Sequence, residues 1–378
     1  MALDISWLLM GLPLAFAMGW LASRLDLRQW RIANRQAPRA YFRGLNHLLN
    51  EQQDQAIDAF IEAVQNDPDT SELHFALGNL FRRRGEYDRA VRVHEHLLSR
   101  GDLSQADRQR AQHALALDFL KAGLLDRAEE ALRKLESTPF SGQARLARLA
   151  IYERSREWSE AAQVAALLEQ SGEASFAVRQ AHYRCEQARE AVQQGQSERA
   201  LQLLRTTLDE IPDAPRPRLL LGQLLLSQQR ASEALDTLLP LFQSPSTVAP
   251  LAADALARAA LACDRVEEAR QALQERQAAE PSIDVLEALN ALGLPSETGA
   301  RYLAHLARQP SLLAAQRWLT RTEAAQLPEG VQRALEQASR PVARYRCAAC
   351  GFETRDHFWH CPGCQAWDSF PPRRVEEL

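Results

Sequence analysis

The residues best suited to chemistry in this sequence are four cysteines near the C-terminus. They form two Cys-x-x-Cys pairs, Cys347 with Cys350 and Cys361 with Cys364, and ten residues separate the pairs. Two such hairpins can close a tetrahedral site of four thiolates, the ligand set that zinc and iron prefer. The sequence therefore predicts that Cys347, Cys350, Cys361 and Cys364 bind one iron or zinc ion.

The segment around these cysteines resembles a rubredoxin, because Gly351 follows the first pair and Pro362 lies within the second. Two features differ from an electron-carrying rubredoxin. The gap between the pairs is short, and Gln365 replaces the second knuckle glycine. Residues 341–378 are therefore expected to form a small structural ribbon that folds with its metal ion. A rubredoxin-type electron carrier remains the alternative.

The ribbon contains more aromatic residues than so small a fold needs, and some of them are expected to dock on the rest of the chain. His357 and His360 lie near the cysteines, but with four thiolates available they are expected not to bind the metal. A nucleic-acid-binding ribbon is disfavoured because acidic residues offset its arginines. The aromatic residues are Phe352, Phe358, Trp359, Trp367 and Phe370.

A repeat of about 34 residues positions this ribbon at the end of a helical array. Gly44, Gly78 and Gly222 lie twelve residues before a repeated alanine, where two helices would approach closely, and Pro68, Pro212 and Pro281 lie twelve after it. The pattern resembles tetratricopeptide repeats over residues 37–285, and residues 286–340 are expected to be a degenerate helical repeat or cap. Successive alanines are 34, 38, 33, 39, 34 and 35 residues apart: Ala56, Ala90, Ala128, Ala161, Ala200, Ala234 and Ala269.

Repeats of this kind bury a core between neighbours and leave a concave face for ligands. Five polar residues are expected to point from first helices toward that face and to bind a partner protein. The alternative for each of them is an ordinary solvated position on a helix. These residues are Asn79, Arg82, Arg83, Arg189 and Gln223.

An uncharged run of 18 residues, Ile5 to Ala22, lies near the start of the chain. As a helix it would be about 27 Å long, enough for a thin bilayer, so residues 1–23 are expected to be a transmembrane anchor. A cleaved signal peptide is the alternative, but no basic residue precedes the run. Residues 24–36 follow as a basic segment, which predicts a cytoplasmic location for the rest of the chain. Four arginines would share a helix face and contact inner-membrane lipids, or serve only as the topology signal: Arg24, Arg28, Arg31 and Arg35.

The composition of the chain and the absence of catalytic sequence motifs argue against several classes of function. The 378 residues carry a formal net charge of −4, which argues against a nucleic-acid partner. Six cysteines are too few for a disulfide-dense secreted scaffold. The sequence has no phosphate-binding glycine loop, nucleophile elbow or zinc-protease motif, so an enzyme is not expected. The expected fold is all-α: one transmembrane helix, a tetratricopeptide superhelix and a Cys₄ ribbon.

This order of an anchor, repeats and a cysteine ribbon resembles the lipopolysaccharide assembly protein B family of Gram-negative bacteria along nearly the whole chain. The resemblance implies an inner-membrane adaptor whose four cysteines bind the metal. It also implies that the adaptor helps the membrane protease FtsH degrade the lipid A deacetylase and that it gathers lipopolysaccharide synthesis and export proteins. Self-association is compatible with the sequence. A general membrane-tethered interaction scaffold is the alternative.

Overall fold

The computed structural model describes residues 13, 15–20, 39–172, 175–243, 248–321 and 328–378. The chain separates into two compact units, residues 1–151 and 152–378. Both are built from antiparallel helix pairs. The described residues of the first unit include the helix α1 over residues 39–49, then α2 (Gln53–Asn66), α3 (Ser71–Arg84), α4 (Tyr87–Ser99), α5 (Gln105–Ala122) and α6 (Leu125–Arg133), and α7 (Ser141–Ser155) includes the boundary.

The second unit continues the helix pairs and ends in the cysteine ribbon. The ribbon contains a two-stranded antiparallel sheet, β1 (Tyr345–Arg346) with β2 (Glu353–Thr354), and a final 3₁₀ turn (Val375–Glu377). The described helices of the second unit are α8 (Trp158–Gln170), α9 (Ala177–Gln193), α10 (Ser197–Glu210), α11 (Pro215–Ser227), α12 (Ala231–Leu238), α13 (Pro240–Gln243), α14 (Ala249–Ala262), α15 (Val266–Ala279), α16 (Ile283–Leu292), α17 (Pro295–Arg308), α18 (Leu312–Arg321) and α19 (Glu329–Val342).

The repeated alanines form the inner seam of both units, which confirms the predicted helical repeat. Each lies on the second helix of its pair, and each is completely buried. Alanine at this position lets the second helix approach its neighbours without a gap or a clash. The seven residues are Ala56, Ala90, Ala128, Ala161, Ala200, Ala234 and Ala269.

The glycines and prolines that share the repeat phase also do what the sequence predicts. A Cβ atom on Gly222 would come within 2.5 Å of Leu238 on the paired helix, and one on Gly44 within 2.8 Å of Phe60. Gly85, between α3 and α4, has a φ of +85°, which glycine adopts without strain. The second helices α2, α10 and α15 end two residues before Pro68, Pro212 and Pro281, respectively.

The predicted N-terminal anchor falls mainly outside the described residues. Residues 13 and 15–20 are helical. Within the described part of the chain, no helix has the length and apolar character required to cross a bilayer. The four arginines of the predicted lipid-facing stripe, Arg24, Arg28, Arg31 and Arg35, also lie outside it.

We predict that Gly222→Ala destabilises the second unit. The added methyl group would overlap Leu238, and overpacking of this kind costs about 1–3 kcal/mol. Gly330→Ala in α19 is the matched control, because no atom lies within 4 Å of its Cβ position. Alanine is the better helix former, so the control should stabilise α19 by up to about 1 kcal/mol. Thermal unfolding of both variants measures the difference, and equal melting temperatures would contradict the close packing at Gly222.

Candidate metal centre and partner surface

Two matching backbone turns present the four cysteines. In the first, Gly351 N donates to Cys347 O at 2.9 Å, and in the second Gln365 N donates to Cys361 O at 2.8 Å. Gly351 has a φ of +77° and Gln365 a φ of +60°. The second turn therefore keeps the left-handed backbone of a glycine knuckle although its residue is glutamine.

The four sulfur atoms fit one tetrahedral ion. All four Sγ atoms lie within 4.8 Å of one another, and they are the cluster of ligating side chains found among the described residues. The Sγ atoms of Cys347 and Cys364 are 3.8 Å apart, and those of Cys350 and Cys361 are 3.7 Å apart. A metal–sulfur distance of about 2.3 Å in a regular tetrahedron requires about 3.8 Å between sulfurs. The geometry therefore supports a single metal site, for iron or zinc alike.

The turn also prepares one thiol for metal binding. Desolvation acts to raise the pKa of Cys347, but its hydrogen bond with Ser369 and those from the amides of Cys350 and Ala349 outweigh it and lower the pKa to about 6. Because the thiolate is the form that binds metal, this thiol is ready near neutral pH. His357 donates from Nε2 to the carbonyl of Phe370 at 3.0 Å, so this nitrogen is engaged in the ribbon's own structure.

The ribbon docks on the repeats of the second unit through Trp367. Its indole Nε1 donates to Glu153 Oε1 at 2.9 Å, and its ring stacks on His182 with centroids 4.8 Å apart. Glu153 also accepts a hydrogen bond from Tyr183, and burial together with this bond raises the pKa of the phenol. The expected docking of ribbon aromatics on the repeats is thus visible in the structure, although Phe352 and Phe358 stay partly exposed.

A buried polar cluster lies beneath the docked aromatics. Arg216 on α11 is only 2% exposed, pairs with Glu186 and donates to His182 Nδ1 at 3.1 Å. Since Nδ1 accepts, the hydrogen of this ring lies on Nε2, which donates to Asp368 of the ribbon at 2.8 Å. The guanidinium lies 5.4 Å from the Trp359 ring centroid. None of these contacts was predicted from the sequence, because the partners are far apart along the chain.

The last residues of the chain fasten the ribbon to helices α16 and α18. Arg374 pairs with Asp284 through two hydrogen bonds of 3.0 and 2.9 Å. Glu377 accepts from the amide of Ile283 at 2.6 Å, and Glu376 accepts from the amide of Leu312 at 2.9 Å. The side-chain carboxylates of Glu377 and Glu376 therefore cap the N-termini of α16 and α18, where unpaired amides and the helix dipole favour negative charge.

The predicted partner-binding residues of the first unit differ in their surroundings. Arg82 donates to the completely buried Asp118 at 2.8 Å and to Asn79 at 2.5 Å. Asp118 also contacts Nδ1 of buried His94 at 2.5 Å. Asn79 and Arg82, which were expected to point toward the concave face and bind a partner, are thus engaged in a network that neutralises a buried carboxylate, and both stay partly exposed. Arg83 is exposed.

The predicted residues of the second unit lie together. Arg189 on α9 and Gln223 on α11 line one cavity of about 290 Å³ whose other walls include Val192 and Leu220. Arg189 also lines a neighbouring cavity of about 480 Å³, to which the ribbon contributes Phe358. Arg189 and Gln223, the two residues predicted to bind a partner, therefore lie at a surface formed by these two cavities, to which repeats and ribbon both contribute. We call it the Arg189 surface.

Comparison with known proteins agrees with both parts of the chain. A family model described as "Rubredoxin metal binding domain" matches residues 345–372, and tetratricopeptide repeat models match residues 73–109 and 191–245. Lipopolysaccharide assembly protein B of Escherichia coli K12 is 30% identical, over 96% of this chain and 97% of that protein. The Haemophilus influenzae protein of the same name is 27% identical, over 99% of each. A tetratricopeptide repeat protein from Parabacteroides merdae is similar in structure, with a TM-score of 0.35 and 15% identity over 68% of this chain and 99% of that chain.

Removing the metal should release the C-terminal caps. A ribbon of this size depends on its ion for folding, so chelation or Cys361→Ser should free Glu376 and Glu377 from the helix ends. Loss of a cap costs about 1 kcal/mol, which corresponds to about five-fold faster amide exchange. Hydrogen exchange at Ile283 and Leu312 measures the effect, with Ala56 in the first unit as the control amide. Unchanged exchange in metal-free protein would contradict this dependence.

Gln365→Gly should stabilise the metal-loaded ribbon. A non-glycine residue in the left-handed region costs about 1–2 kcal/mol, and the greater freedom of glycine in the unfolded chain offsets part of that gain. We expect a net stabilisation of about 0.5–1 kcal/mol. Chelator-driven metal release, followed over time, should be slower than in the wild type. A faster release would show that the Gln365 side chain contributes more than its backbone strain costs.

Proposed function

The chain belongs to the lipopolysaccharide assembly protein B family, and on that premise we propose that it is a non-enzymatic adaptor in lipopolysaccharide assembly. In this proposal it acts at the bacterial inner membrane. It binds the lipid A deacetylase and presents it to the membrane protease FtsH, so that lipopolysaccharide synthesis is restrained and kept in step with export.

The observation that carries the proposal is the Arg189 surface. Exposed apolar side chains lie beside a charged group there: Val192 is 42% exposed and Phe358 is 38% exposed. Apolar anchors with an arginine nearby are typical of protein interfaces. Because helices α9 and α11 and the ribbon all contribute, the surface exists only when the ribbon is docked.

The ribbon in this proposal has a structural role. The metal holds the two cysteine turns, and Trp367 and Arg374 attach them to the repeats. This arrangement explains why an adaptor without electron transfer would keep a metal site. Iron and zinc should then support the function equally.

The predicted anchor completes the mechanism. A transmembrane segment over residues 1–23 would restrict the search for membrane proteins such as FtsH to the plane of the bilayer and so raise their effective concentration. The basic residues Arg24, Arg28, Arg31 and Arg35 would contact anionic headgroups of the inner-membrane lipids on the cytoplasmic side.

Arg189→Glu should impair the adaptor. The substitution reverses the charge of an exposed side chain whose one close contact described here is Glu186, at 3.3 Å, so the fold should tolerate it. We expect the deacetylase half-life in cells to increase several-fold, measured after blocking protein synthesis. Arg199→Glu is the matched control, since Arg199 is an exposed arginine on the second helix α10.

The result is interpretable in both directions. A longer half-life with Arg189→Glu and a normal one with Arg199→Glu would support the proteolytic adaptor and locate its surface. If depletion of the whole protein leaves deacetylase turnover unchanged, the FtsH mechanism is wrong and the adaptor serves another step of lipopolysaccharide assembly. If depletion slows turnover and Arg189→Glu does not, the deacetylase binds elsewhere on the chain.

A further inference from the structure

Helix α1 exposes two large apolar side chains that the function proposed above does not use. Phe42 is 66% exposed and Leu49 is 83% exposed, and seven residues, or about two helical turns, separate them along one face. The other face of α1 belongs to the core, where Ala40 is buried and Gly44 approaches Phe60 of α2. The outer face of a terminal repeat is normally polar, because no further repeat covers it. These two groups, on the first described helix of the repeats, therefore indicate a contact that the repeats do not supply.

The core of the first unit supports Phe42 in this exposed position. Its ring makes an edge contact with Tyr41 at a centroid distance of 5.7 Å. Tyr41 in turn makes an edge contact with the buried Phe60 at 5.8 Å. The exposed ring is thus held from behind by aromatic packing, and its outer face is left for a contact.

Two arginines border this apolar face, and α1 contains no acidic residue. Arg39 and Arg43 are both exposed and lie one turn apart beside Phe42. Arg43 pairs with Glu62 of α2, whereas Arg39 has no ion-pair partner among the described residues. Helices with exposed apolar side chains and arginines at their border bind at membrane interfaces. The apolar groups leave water there, while the guanidinium groups stay at the level of the phosphates.

The predicted anchor brings this face close to a bilayer. Only residues 24–38 separate the end of the anchor from α1, and a chain of that length spans at most about 54 Å. This tether gives α1 a high effective concentration at the membrane surface, so two apolar side chains suffice for a contact that they would not hold alone. A second copy of the chain is a poorer occupant, because its α1 has no carboxylate to pair with the arginines. The inference rests on the inner-membrane location in the proposed function.

We propose that α1 lies on the cytoplasmic surface of the inner membrane and that phospholipids cover its exposed face. Phe42 and Leu49 enter the boundary between headgroups and acyl chains, and Arg39 binds a lipid phosphate. The anchor alone leaves the first unit free to rotate about its tether. The contact at α1 fixes one side of that unit against the bilayer.

The test is photo-crosslinking of the full-length protein in living cells. The photoreactive amino acid p-benzoylphenylalanine replaces Phe42 on α1, Phe16 in the predicted anchor, or Leu146, which is an exposed apolar residue on α7 of the same unit. After irradiation, mass spectrometry of the purified protein detects phospholipid adducts. We expect adducts at positions 16 and 42, and an at least ten-fold lower yield at position 146.

Substitutions beside the probe show whether the face itself makes the contact. With the probe at position 42, Leu49→Glu should lower the yield of lipid adduct about five-fold, because a carboxylate resists transfer out of water. Arg39→Glu should lower it about two-fold by repelling the phosphates. Leu146→Glu is the matched control and should leave the yield unchanged. All three side chains are exposed, so the melting temperature should stay that of the wild type.

The outcomes separate this inference from the proposed location. Lipid adducts at position 16 but not at 42 would overturn the contact at α1 and leave the anchor in place. Adducts at neither position would overturn both, whereas adducts at 42 alone would support the contact and contradict the anchor. A crosslink from position 42 to a second copy, or to residues 24–38 of the same chain, would show that protein covers the face and would overturn the proposal. Equal yields at 42 and 146, or no effect of Leu49→Glu, would overturn it as well.

Discussion

The arrangement of the C-terminal unit depends on the buried guanidinium of Arg216. This charge is 2% exposed, so it needs partners that replace water: Glu186 pairs with it, His182 accepts from it, and the rings of Trp359 and Trp367 cover it. A buried ion that loses its partner costs about 3–5 kcal/mol. Repeat helices and ribbon each supply part of this environment, and neither part would be stable in the same form without the other.

Much of the fold could be predicted from the sequence because its determinants are local. The repeated alanines, the glycine opposite Leu238 and the cysteine pairs each act within one helix pair or one hairpin, so their spacing carries the information. The left-handed backbone of Gln365 was a harder case. The sequence shows only a missing glycine there, and the structure shows that the turn forms without it. A local preference was overruled by the hydrogen bonds of the knuckle.

The functional surfaces were harder to predict because their partners are distant in sequence. Arg82 was expected to bind a partner from the concave face, and the structure shows in addition that it pairs with the buried Asp118, 36 residues later. Some of the five ribbon aromatics were expected to dock, but the sequence did not show that Trp367 would do so, because its acceptor Glu153 lies 214 residues away. Arg82 and Glu153 are both polar residues on first helices, and the sequence alone does not distinguish their roles. Whether such a residue serves the core or a ligand depends on the helix that packs next to it.

The position of the ribbon changes what the repeats can bind. It contacts α9 through His182, α11 through Arg216, α14 through Leu251 and α16 through Asp284, all first helices of their pairs. First helices form the face that repeats of this kind use for ligands. In the second unit the ribbon therefore covers part of that face, and the proposed Arg189 surface lies at an edge where ribbon and helices join. Polar contacts make this docking specific. Apolar packing alone would allow the ribbon to shift along the repeats, whereas the hydrogen bonds of His182, Asp284 and Glu153 form in only one orientation of the ribbon.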